Sequence, residues 1–61
     1  GAKARAAEVV KQLTESIENY EKVAAKSEAA GNAKKASEAR ESAAARKVWL
    51  EEAQKGLAEF S

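Results

Sequence analysis

Apolar residues in the first half of the chain recur three and four positions apart. Val10, Leu13, Ile17, Tyr20 and Ala24 therefore share one face of a helix. Carrying that register past Gly31 selects Lys34, Glu38, Glu41, Ala45, Val48 and Glu52, a mostly charged set. The apolar positions of the second half follow a different register: Ala36, Ala39, Ala43, Leu50, Ala53, Leu57 and Phe60. The phase breaks at Gly31 and Asn32. One unbroken helix would carry its two seams on different sides, whereas a chain that reverses direction turns both inward. The residue types at the break agree. Glycine closes a helix in the left-handed conformation without a Cβ penalty, and asparagine is among the best residues for opening the next one. A lone glycine costs only about 1 kcal/mol inside a helix, so the change of phase is the stronger sign.

The pattern predicts an all-α fold: an antiparallel two-helix hairpin occupying residues 1–61 as a single unit. The first helix is expected at about 2–30, the turn at 31–32 and the second helix at about 33–59. Strong helix formers fill both segments, proline is absent and no alternation suggests a strand. The first helix carries Ala6, Val9, Val10, Leu13, Ile17, Tyr20, Val23, Ala24 and Ser27 inward. It carries Glu8, Lys11, Gln12, Glu15, Glu18, Asn19, Lys22 and Lys26 outward. Folding at the turn sets Leu50 opposite Leu13, Ala53 opposite Val10 and Leu57 opposite Ala6, with Ala36 and Ala39 across from Ser27 and Ala24. The helices should approach closely near the bend, where side chains are small, and spread at the open end, at a near-antiparallel crossing of about 20°. Two helices cannot cover Trp49, Leu57 and Phe60 on every side. Pairing with a second hairpin, into a dimeric four-helix bundle, is the expected remedy.

Composition sharpens that expectation. The chain is 44% hydrophobic, but much of this is alanine, which buries little area. A domain of this size buries only about 60% of its unfolded surface and is marginal alone. Cysteine and histidine are both absent, so no disulfide can staple the fold and the commonest metal ligand is missing. Self-association or docking on a partner is left as the source of stability. Eleven basic and ten acidic residues give a net charge of +1, evenly spread over the two halves. No asymmetry points to nucleic acid or an anionic membrane. No apolar run approaches the roughly 20 residues of a membrane span, and no signal-peptide pattern is present. Nothing in the chain indicates a compartment.

The residues expected to bind a partner are Leu13, Ile17, Tyr20, Arg46, Trp49, Leu50, Ala53, Leu57 and Phe60. Arg46 falls on the core register between Ala43 and Leu50. Either its stem lies along the stripe with the guanidinium in water, or it forms a register-setting pair, with Glu18 or Glu21 as the carboxylate. Trp49 makes a ridge with Ala45, Ala53, Gly56 and Phe60, read either as ordinary core or as an interface hot spot. Tyr20 is read as a stripe-edge aromatic with its hydroxyl in water. Ala44 and Val48 point away from the stripe, and Lys34, Lys35, Glu51 and Glu52 are read as solvated surface. No histidine offers general-base chemistry, no cysteine a nucleophile, and no phosphate loop, HExxH or calcium loop occurs. Neither an enzyme nor a cofactor, metal or small-molecule substrate is expected.

The central segment resembles one tetratricopeptide repeat. Tyr20, Val23 and Ala24 match its first-helix positions, Gly31 and Asn32 its turn, and Ala36 and Ala43 its small second-helix positions. Ser27 and Arg40 stand where that repeat carries large aromatics, and Val48 where it closes with proline. The helices run about twice as far as the repeat needs, and a single copy is present where arrays usually need about three. The likeness is one of helical-hairpin chemistry, and it too implies peptide or protein binding. The function expected is therefore a non-enzymatic interaction or oligomerisation module, for a homodimer or a partner helix. Nucleic-acid binding through the Lys/Arg surface is the rival. A helical scaffold without independent function, engineered or excised, is the third reading.

Overall fold

The computed structural model describes residues 1–59. It contains two helices, α1 (Ala2–Ala29) and α2 (Ala33–Ala58), packed against each other, and no strand among the described residues. The longest dimension is 45 Å, with 14 and 11 Å across. A single rod of this chain would reach some 80–90 Å at about 1.5 Å per residue. The chain does reverse, as the broken phase requires.

The reversal is compact because two residues share its work. Gly31 takes φ +78°, the left-handed conformation that carries a steric penalty for other residues. This turns the Gly31 amide onto the Glu28 carbonyl at 3.0 Å and the Asn32 amide onto the Ser27 carbonyl at 2.8 Å. Those two bonds are the Schellman arrangement, and they satisfy carbonyls that the end of α1 would otherwise leave open. Asn32 then starts α2. Its Oδ1 accepts from the Lys35 amide at 3.0 Å and its carbonyl accepts from the Ala36 amide at 3.1 Å. One asparagine thus closes the first helix with its amide and opens the second with its side chain. The other end of α1 has no comparable device: Gly1 provides no side-chain cap and the first turn has no acidic residue.

The core is thin. Its buried members are Ile17, Ala24 and Ser27 on α1 and Ala36, Ala39 and Ala43 on α2. Five of these are small, and they sit in the bend-proximal two-thirds of the hairpin. Val10, Leu13, Leu50, Ala53 and Leu57, toward the open end, are only half-buried. Two expectations need adjustment. Val9 and Val23, assigned inward, are 47% and 39% exposed. Both valines lie on one edge of the α1 stripe, turned about 100° or less to the side of the row Val10, Leu13, Ile17, Tyr20 and Ala24 that faces α2. Trp49 is not core within the hairpin, being 55% exposed.

A candidate interaction face

The two sides of the helix–helix seam differ in chemistry. On one flank Glu28 pairs with Arg40 at 2.6 Å and Glu21 with Lys47 at 3.4 Å, both crossing from α1 to α2. Alanines 24, 25, 43 and 44 lie between these pairs. All four charged side chains are about half exposed, so each pair contributes no more than about 1 kcal/mol. Their main consequence is that the charged rims of this flank are satisfied within the hairpin.

The opposite flank is built differently. Toward the open end, Val9, Gln12, Leu13, Ser16, Trp49 and Ala53 line an open, mostly apolar groove. Toward the bend, Tyr20, Val23, Lys35, Glu38, Ala39 and Ser42 line a second, smaller one. Arg46 stands between the two. Its guanidinium carbon lies 4.5 Å from the centroid of the Tyr20 ring and 5.6 Å from that of Trp49. Its Nη1 donates to the Ser42 carbonyl at 3.2 Å. The cation is thus held over aromatic faces and by its own helix, with no carboxylate partner among the described residues. Glu21, one of the expected carboxylate partners, lies on the other flank and accepts from Lys47. The reason is angular: Arg46 and Lys47 are adjacent, about 100° apart around α2, so they leave the seam on opposite sides.

The residues expected to meet a partner are not equivalent once folded. Ile17 is buried, at 6% exposure, and serves the hairpin's own core. Leu13 and Ala53 border the open-end groove, half-buried, and Leu50 and Leu57 are half-buried as well. Tyr20 supports Arg46, and Trp49 stands exposed beside Arg46. Phe60 lies outside the described residues. Val9 and Val23 were not singled out for binding, yet they line the two grooves. Their place at the edge of the α1 stripe was the available signal.

Among the described residues, no cluster of three or more His, Cys, Asp or Glu side chains is placed to hold a metal. No helix among them is long and apolar enough to cross a membrane. No family model matches the chain, and no curated protein or solved structure matches it either. The likeness to a tetratricopeptide hairpin rests on Tyr20, Val23, Ala24, the turn at Gly31 and Asn32, and Ala36 and Ala43 alone.

Proposed function

We propose that this hairpin is a non-enzymatic interaction module that associates through the flank bearing Trp49, by pairing with a second copy into a four-helix bundle. The observation that carries the reading is the contrast between flanks. One has its charges paired across the seam, while the other leaves Trp49, Val9 and Val23 exposed along two grooves. Full burial of a large apolar side chain is worth about 1.5–3 kcal/mol. A chain whose internal core holds one large aliphatic residue gains proportionately more from covering that flank than a larger domain would. Trp is also a residue type enriched where binding energy concentrates. Nucleic-acid binding has less support: Arg40 and Lys47 are already paired with carboxylates within the hairpin, and Arg46 stands on the opposite flank from them.

Sedimentation equilibrium over a wide concentration range tests the proposal. The expected species is a dimer, of about twice the 6.5 kDa chain mass, with a melting temperature that rises with concentration. A single 6.5 kDa species at every concentration, with an invariant melting temperature, would remove self-association.

A further inference from the structure

Along the exposed flank of α2, five residues form a series that is symmetric in spacing: Lys35, Glu38, Ser42, Arg46 and Trp49. Glu38 and Arg46 each lie four residues from Ser42, on either side of it. Lys35 and Trp49 each lie seven residues from it. Spacings of four and seven keep all five on one side of a helix, and Lys35, Glu38 and Ser42 do line one groove together. The series is also complementary in chemistry. Reversed about Ser42, it sets acid against base and cation against aromatic ring.

Resting on the self-association proposed above, we infer that the second copy packs α2 antiparallel against α2, about a two-fold axis beside Ser42. A two-fold contact must be self-complementary: if one residue meets another, the reciprocal contact forms as well. Glu38 of each copy then meets Arg46 of the other, and Trp49 of each lies over Lys35 of the other. Ser42 meets its own counterpart, and a small side chain there lets the two helices approach. Val23, which shares the bend-proximal groove with Ser42, lies beside the same axis.

Two observations favour this register. Neither Glu38 nor Arg46 has an ion-pair partner within the described part of its own hairpin, although two other acid–base pairs do form across the seam. Arg46 is also pre-positioned. Stacking on Tyr20 and one bond to the Ser42 carbonyl hold it in place, while the remaining guanidinium N–H groups can still donate to a carboxylate. Exposed acid–base pairs add modest affinity, but they discriminate between registers: a shift breaks both Glu38–Arg46 contacts, and shifts that set Lys35 against Arg46, or Glu38 against its own counterpart, place like charges together.

A charge swap tests the pairing. Glu38→Lys alone sets an introduced lysine against Arg46 twice in each dimer, and Arg46→Glu alone sets two acids together twice. Each variant by itself should dimerise roughly tenfold more weakly than the parent, or worse. Their equimolar mixture should recover near-parental affinity, since the heterodimer restores one Lys–Glu and one Arg–Glu contact. Arg46→Glu also removes the stacking on Tyr20, so helix content is checked by circular dichroism. Trp49 emission against concentration gives a second readout on the parent and Glu38→Lys alone, because Glu38 has no ion-pair partner among the described residues of its own hairpin. The parent should shift to the blue as it dimerises, and Glu38→Lys should do so only at higher concentration. A dimeric parent whose two variants dimerise as tightly as it does, or whose mixture shows no recovery, overturns this interface and leaves self-association standing. Superimposable emission curves for parent and Glu38→Lys do the same. A parent that stays monomeric throughout overturns both.

Discussion

The same substitution, glycine to alanine, should have opposite signs at Gly31 and Gly56. At neither position would an added Cβ meet another atom within 4 Å, so packing drops out and backbone conformation decides. Gly31 sits at φ +78°. Holding a residue with a Cβ there costs about 1–2 kcal/mol. Loss of glycine's freedom in the unfolded chain offsets about 0.4–1 kcal/mol of that, leaving Gly31→Ala destabilised by about 1 kcal/mol. Gly56 lies in the last turn of α2, where alanine is better than glycine by up to about 0.5–1 kcal/mol, the value for a helix interior. For a domain of this size 1 kcal/mol moves the melting temperature by about 4–8 °C. Thermal and urea unfolding followed by circular dichroism should therefore show Gly31→Ala melting several degrees below the parent and Gly56→Ala a few degrees above it. Protein concentration must be held constant, since association shifts both curves. The refuting result is specific. If the chain ran as one helix, both glycines would lie within it and both alanines would stabilise it. A raised melting temperature for Gly31→Ala would sink the hairpin.

Other substitutions probe the remaining parts of the fold. Ile17→Ala removes the one large aliphatic side chain that is buried; a loss of about 2–3 kcal/mol is expected, enough to leave the chain largely unfolded at low concentration by circular dichroism. Asn32→Ala should cost about 1 kcal/mol in urea unfolding and Asn32→Asp much less, because an Asp carboxylate can still accept from the Lys35 amide. Glu28→Gln breaks the 2.6 Å pair with Arg40, but both side chains are about half exposed. Its effect should stay within about 0.5 kcal/mol and vanish in high salt; a larger loss would mean that the charged flank carries more of the fold than its exposure implies.

The connection was the most legible part of the chain. Gly31 and Asn32 are chosen by local backbone chemistry, which does not depend on what packs around them, and the structure ends α1 and begins α2 around them. The facing rows were legible for a related reason. Ala36, Ala39 and Ala43 repeat with the helical period and are the buried residues of α2. The width of the buried strip was harder to read. Val9 and Val23 satisfy the helical period as well as Val10 does, but a single packed helix covers only the middle of the stripe and leaves both at its edge, 47% and 39% exposed. The cross-helix pairs were not legible. Glu28 and Arg40, or Glu21 and Lys47, carry no mutual signal along the chain and become neighbours only through the level at which the helices dock.

The amino-acid sequence by itself determined two helices, the place where they part and the row that each turns inward, because all of these follow from backbone propensity and the angle between successive residues. The tertiary structure alone decided what lies to either side of that row: ion pairs on one flank, and Arg46 stacked between Tyr20 and an exposed Trp49 on the other. The physical reason is that a helical period encodes direction within one helix. Which edges of two helices adjoin depends on their relative height and rotation, and those are settled where Ile17, Ala24 and Ser27 pack against three alanines of the returning chain.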